Sequence, residues 1–211
     1  MESSGRRSVS VGRSICADLN LWKVRIESLQ CVVLPLPLDA PVVSGSDAST
    51  KGLGGWVSVP SEGRPSSVFF FQCGLQDIPS GILEFLVEDP AAGACPSDMA
   101  CLEMLAMCLG FCLALSKAGS SHSLVLLCDN EPAVRALRKC YSSAPRTSLL
   151  LRQMALVLAD SPFPIPYRVR SVKGVKNLAA DVLSRSFPCT SVPPEWVSVD
   201  TGPLFQQLMP S

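Results

Sequence analysis

The chain has 211 residues, 18 Lys and Arg against 18 Asp and Glu, 47% hydrophobic and 17% charged. That profile fits one folded domain with modest tails and excludes a wholly disordered chain. A formal net charge of zero shows no overall basic excess of the kind that marks nucleic-acid or membrane-surface binding. Ten cysteines with one histidine and no C-x-x-C pair leave a structural zinc motif without its ligand spacing. Five of them, Cys73, Cys101, Cys108, Cys112 and Cys128, lie in apolar runs and read as reduced, buried thiols of an intracellular protein, cytoplasmic or nuclear.

Residues 1–15 are polar and Ser/Arg-rich, without the apolar core of a signal peptide. Ala17–Gln30 is predicted as a short amphipathic helix on Leu19, Leu21, Trp22, Val24 and Leu29, making 1–39 a tail and connector helix. The domain proper spans 40–186. Val42–Ala48 reads as the first strand, Gly52–Gly55 as a glycine-rich turn, and Trp56–Val59 and Val68–Cys73 as further strands. Leu83–Val87 fits either strand or loop. Prolines cluster at 35–41, 60–65, 162–166 and 188–194, marking loops or linkers.

Met99–Leu115 is apolar enough to be mistaken for a membrane span. Glu103 interrupts it, and the uncharged run from Met104 to Leu115 falls short of the roughly 20 residues a span needs. The expectation is a buried helix over 98–118, opened by Pro96-Ser97-Asp98. Leu102, Leu105, Ala106 and Leu109 form its stripe, and Glu103 lies off that stripe beside Met107 and Gly110. A carboxylate so close to a core helix has to be hydrogen-bonded, paired or bound to a metal. A strand at Ser123–Cys128, helices at Glu131–Tyr141 and Thr147–Ala159, a strand at Tyr167–Val172 and a helix at Leu178–Ser186 follow. A Pro-rich C-terminal tail fills 187–211. A meander followed by helix, strand, helix, helix, strand, helix is an α/β pattern: a mixed sheet flanked by helices.

Four acids sit at element ends or on the core helix: Asp47 closing the first strand, Glu103, Asp129 closing the strand Leu124–Cys128, and Asp181 in the first turn of the last helix. Taken singly, each can be an ordinary cap or ion-pair partner. Together, without a Cys/His ligand set, they suit hard divalent cations, and two ions about 3.5–4 Å apart can serve both sides of a phosphodiester.

The residues around these acids carry a family resemblance. Ser46-Asp47-Ala48-Ser49-Thr50-Lys51-Gly52-Leu53-Gly54-Gly55-Trp56 resembles the D-A-S-x-x-G-x-G opening of reverse-transcriptase-linked ribonuclease H domains. Cys101-Leu102-Glu103-Met104-Leu105-Ala106 resembles their helix motif, and Cys128-Asp129-Asn130-Glu131-Pro132-Ala133-Val134 their (T/C)-D-N-x-x-A-V strand end. Gly174-Val175-Lys176-Asn177-Leu178-Ala179-Ala180-Asp181-Val182-Leu183-Ser184-Arg185 resembles their closing G-x-x-N-x-x-A-D-x-L-S-R. The four occur in the family's order. Flanking segments, Asp18-Leu19-Asn20-Leu21-Trp22 upstream and Pro194-Glu195-Trp196 with Phe205-Gln206-Gln207-Leu208 downstream, are similar to those of DIRS-type retrotransposons.

The resemblance implies an RNase H-like fold with a central five-stranded mixed sheet. It also implies a Mg²⁺-dependent endoribonuclease acting on the RNA strand of RNA/DNA hybrids, with Asp47, Glu103, Asp129 and Asp181 holding two Mg²⁺, or Mn²⁺ in their place. Nucleophile activation would come from the metal and not from a side-chain base. Ser49, Asn130, Asn177, Lys173, Lys176 and Arg185 are the expected substrate contacts, the two asparagines having helix capping as their structural alternative. Many ribonucleases H carry a histidine where Ser171 or Lys173 stands here; His122, before the buried strand, reads as a loop residue. With no polymerase, recombinase or integrase motif, the chain reads as a fragment or domesticated remnant of a larger polyprotein, whose polymerase domain is the implied partner. The alternative is a catalytically silent RNase H-like module that binds nucleic acid or a partner.

The zero net charge conceals a segregation. From Pro132 to Arg185 cations dominate, with only Asp160 and Asp181 opposing them, whereas 77–103 holds six acids and no Lys or Arg. A phosphate-gripping surface beside a carboxylate site would need that division; a plain solvated helix face is the other reading.

Overall fold

A computed structural model describes residues 12, 16, 19, 20, 23, 24, 41–91, 93–118, 123–161 and 165–209. Two compact units divide the chain, Met1–Val33 and Leu34–Ser211. In the first, Cys16, Leu19, Asn20, Lys23 and Val24 are helical, with Leu19 and Val24 exposed. The rest of the expected connector helix lies outside the described residues, as does His122.

The second unit is built on six strands: β1 (Val42–Ala48), β2 (Gly52–Ser61), β3 (Arg64–Gly74), β4 (Leu124–Cys128), β5 (Tyr167–Ser171) and β6 (Val197–Ser198). The sheet order is β5-β4-β1-β2-β3-β6. β1, β2 and β3 form an antiparallel meander, and β4, β5 and β6 join in parallel. Among the described residues six helices accompany it: α1 (Ser80–Leu86), α2 (Met99–Lys117), α3 (Glu131–Lys139), α4 (Pro145–Asp160), α5 (Leu178–Arg185) and α6 (Gly202–Leu208). This is the expected mixed α/β architecture, a mixed sheet flanked by helices, with one strand more than the five expected.

The first strand has the expected bounds, but the glycine run lies inside β2 and not in a turn. The turn is Ser49–Lys51, fixed by the Ser49 hydroxyl, which accepts from Lys51 N–H at 3.1 Å and Gly52 N–H at 3.3 Å. The glycines serve close packing: a Cβ on Gly54 would lie 2.5 Å from the backbone carbonyl carbon of Leu183, so its absence lets α5 lie directly on β2. Pro60 and Pro65, expected in a loop, flank the tip of the β2–β3 hairpin, where the register is irregular between Val59 and Ser61 and Gly63 turns the chain at φ +65°. Of Leu83–Val87, all but Val87 belong to helix, Val87 being its extended C-cap; Ile82 and Leu86, one turn apart, are the buried side of α1.

α2 is buried all round from Cys101 to Ala114, as befits a helix apolar on every face. It is the one described helix long and apolar enough to cross a membrane, and here it is the centre of the core. Asp98, at its N-cap position, makes no capping bond. Its fully buried carboxylate instead accepts from the Cys95 and Glu88 N–H groups at 3.0 and 3.3 Å and pairs with Arg146 of α4 at 3.1 Å. Burial alone would raise that carboxyl's pKa; its hydrogen bonds and Arg146 outweigh it and hold the carboxyl below the usual range. The five cysteines expected in the core are buried free thiols.

Residues 187–209, expected as a tail, extend the sheet and the core. β6 pairs with β3 through Val197↔Phe69 and Ser198↔Phe70. Trp196 packs against Trp56 and Phe70 with ring centroids 6.5 and 6.4 Å apart, and α6 buries Leu204, Phe205 and Leu208. The prolines at 188–194 connect these elements without interrupting them.

Candidate functional site

Parallel pairing of β1 with β4 runs from Val42↔Leu124 to Gly45↔Leu127. Two residues beyond that last pair stand Asp47 and Asp129, so the register delivers both acids to the same end of adjacent central strands. α2 brings the third. A Cβ on Gly110 would lie 2.7 Å from the Ser44 hydroxyl, while the Ala48 N–H donates to Glu103. α2 therefore descends as β1 ascends. Seven helical residues rise about 10.5 Å and three strand residues about 10 Å, which carries Glu103 to the level of Asp47.

α5 reaches the site from the opposite face of the sheet, over the Asp47↔Gly54 pair. The Ser184 hydroxyl donates to Asp47 Oδ2 at 2.5 Å, with the Asp181 carbonyl 2.9 Å away as a competing acceptor. Asp181 lies within the electrostatic reach of Asp47, and its Oδ1 accepts from Arg185 Nε at 2.6 Å. Asp129 sits under the 172–177 segment, where a Cβ on Gly174 would lie 3.1 Å from Asp129 Oδ2.

Asp47 and Glu103 are 4% and 7% exposed, and among the described residues neither makes an ion pair. Burial, with Asp129 and Asp181 adding like charge against the Ser184 bond and Arg185, lifts the Asp47 carboxyl to about 6. Burial, then Asp47 and Asp129, lift Glu103 to about 8 despite hydrogen bonds from Cys128 and Ala48. Carboxylates held together at this electrostatic cost are what a divalent cation relieves. The donor set fits a hard cation. Glu103, Cys128 and Asp129 also form a group whose ligand atoms all lie within 4.8 Å of one another.

The expected substrate contacts divide. Ser49 is buried, and its hydroxyl is committed to the Ser184 carbonyl at 2.5 Å and to its own turn, so it is a structural tie and not a free contact. Asn130 caps α3, its Oδ1 accepting from Ala133 N–H at 3.0 Å. Asn177 holds the N-cap position of α5 without capping it; its Nδ2 donates instead to the Ser46 carbonyl at 2.9 Å, tying α5 to β1. Arg185 is engaged with Asp181. Lys173 and Lys176 are exposed on the segment covering Asp129.

Two residues at the site were given no role by the sequence reading. Ser184, fully buried, stands in the quoted A-D-x-L-S-R motif one turn after Asp181, and that spacing was the available signal. Cys128 was read as a core thiol, but its Sγ contacts Glu103 Oε2 at 3.7 Å and accepts the Asn130 N–H at 3.3 Å.

No protein-family profile and no curated protein matches the chain. Among solved structures it is similar to ribonuclease H1 from the halophilic archaeon Halobacterium salinarum NRC-1, at a TM-score of 0.45 and 14% identity, over 68% of this chain and 93% of that one.

Proposed function

We propose that the chain is a Mg²⁺-dependent endoribonuclease that hydrolyses the RNA strand of RNA/DNA hybrids, its domain derived from the reverse transcriptase of a DIRS-type retrotransposon. The observation that carries this reading is the meeting of Asp47, Glu103 and Asp129 at one end of the central strands, with Asp181 in the same electrostatic field. The chemistry two divalent ions supply when bound is activation of water on one side of a phosphodiester and stabilisation of the leaving oxygen on the other. Asp47, Glu103, Asp129 and Asp181 would hold them. Ser184 orients Asp47, while Asn177 and Ser49 fix α5 against β1, so the carboxylates are set before substrate arrives. The motif resemblance supports the retroelement origin and a polymerase neighbour.

Substrate gripping falls to cations beside the acids. Arg170 of β5 pairs in register with Leu127, next to Cys128↔Ser171, and Arg168 lies two residues behind. With exposed Lys173 and Lys176 they form a basic line along the sheet edge toward Asp129, suited to phosphates. Choice of RNA would come from contacts to 2′-hydroxyls.

One observation favours a second reading. Arg185 occupies an oxygen of Asp181, as it would in a silent module that binds nucleic acid without turnover. A labelled hybrid incubated with the purified chain in Mg²⁺ separates the two. Cleavage of the RNA strand that is lost in Asp47→Asn and Asp129→Asn supports the nuclease. Salt-sensitive binding with no product supports the silent module.

A further inference from the structure

We propose that Cys128 is a metal ligand: with Glu103 and Asp129 it forms a three-ligand site for a thiophilic divalent cation such as zinc, overlapping the site expected for magnesium. The inference rests on the same carboxylates as the nuclease reading but not on turnover.

The surroundings of Cys128 and the spacing of the ligand atoms support it. Cys128 ends β4 on the side facing α2, where its sulfur meets a carboxylate oxygen and a backbone N–H as well as apolar groups. The Glu103, Cys128 and Asp129 ligand atoms lie within 4.8 Å of one another. The Sγ to Oε2 separation is 3.7 Å. In a tetrahedral site with sulfur at about 2.3 Å and oxygen at about 2.0 Å from the metal, the two ligand atoms stand about 3.5 Å apart, so the existing geometry closes on such an ion with a small adjustment. Asp129 is only partly buried and leaves an approach from solvent.

Ligand chemistry sets which ion gains. A thiolate adds little to magnesium, which prefers oxygen in octahedral array, and much to zinc or cadmium. Three protein ligands with an open fourth position are a known zinc arrangement. On binding, the Cys128 thiol releases its proton to solvent and its sulfur donates an electron pair to the cation; no electron is transferred. An ion so held takes Glu103 and Asp129 away from magnesium, so zinc acts as a competing inhibitor.

The test uses cadmium as probe on the full chain, read by the ultraviolet thiolate-to-cadmium charge-transfer band. The wild type is expected to develop a saturable band that Cys128→Ser reduces, and whose affinity falls at least tenfold in Glu103→Gln and in Asp129→Asn, where every cysteine is retained. A full-strength band in Cys128→Ser, or unchanged cadmium affinity in both carboxylate variants, overturns the proposal. Glu103→Gln keeps the size of the side chain and removes no apolar core group, so it keeps the test decisive should Cys128→Ser fold poorly. A normal band with no hybrid cleavage sinks the nuclease reading alone; magnesium-dependent cleavage with no Cys128-dependent band sinks this one alone.

Discussion

Replacing Glu103 by Gln should make the metal-free protein more stable in alkaline solution, although it removes a site residue. In the fold the Glu103 carboxyl is lifted from 4.5 to about 8, by burial first and then by Asp47 and Asp129. An acid whose affinity for its proton rises on folding contributes stability that is complete below its unfolded value and is lost as pH climbs through its folded value. The window therefore runs from about 4.5 to about 8. At about 1.4 kcal/mol for each tenfold change in proton affinity, the full swing has an upper bound of about 5 kcal/mol. The lift on Asp47 comes first from burial and then from Asp129 and Asp181, is retained in Glu103→Gln, and is not counted in that bound. Gln keeps the shape and cannot ionise. Urea unfolding in chelator across that window should show wild-type stability falling by several kcal/mol while Glu103→Gln stays flatter, the two converging at the acid end. Saturating Mg²⁺ should flatten the wild-type slope, because a ligand of the folded state adds its binding free energy to stability. Equal slopes in wild type and variant, or wild-type stability that rises with pH in chelator, would refute the reasoning.

Other consequences are more local. Ser184→Ala should strip Asp47 of its shortest hydrogen bond, raise its carboxyl further above about 6 and weaken divalent-metal affinity roughly 10–100-fold, measured by calorimetric titration. Gly54→Ala should destabilise by about 1–3 kcal/mol and also weaken metal binding, since the new Cβ meets α5 backbone and pushes Ser184 off Asp47; thermal melts and the same titration check both. Asp98→Ala, outside the carboxylate cluster, should cost roughly 2–4 kcal/mol in urea unfolding by orphaning the Glu88 and Cys95 N–H groups and leaving Arg146 with only the Leu86 carbonyl and Glu88, with metal affinity unchanged. The stability that Asp98 contributes is present above a carboxyl's ordinary unfolded value and is lost as pH falls through its lowered one.

Much of this was legible in the sequence, for identifiable reasons. Strong apolar runs mark α2 and β4, while β1 is marked by its D-A-S motif, and Asp47 and Asp129 are placed by register, which follows once β1 and β4 are neighbours. The glycines misread because Gly52, Gly54 and Gly55 mark a turn and a close approach alike, and only the groups that crowd them decide: Phe187 at Gly52, α5 at Gly54 and Phe71 at Gly55. The segment after 186 misread because proline density hides a two-residue strand; what anchors it is Trp196 on Trp56 and Phe70, a contact between residues remote in sequence. Asn177 misread because a cap position predicts a local bond, whereas its amide reaches β1. Cys128 looked like core because its neighbours in the chain are apolar, while its neighbour in space is Glu103.

The central claim is that Asp47, Glu103, Asp129 and Asp181 act as one cation site. Manganese binding to the full chain, followed by loss of the free-ion paramagnetic resonance signal, tests it most directly. Saturable binding that weakens at least tenfold in each of Asp47→Asn, Glu103→Gln and Asp129→Asn, with folding intact, is the predicted result. Manganese affinity that is indifferent to all three substitutions would contradict it.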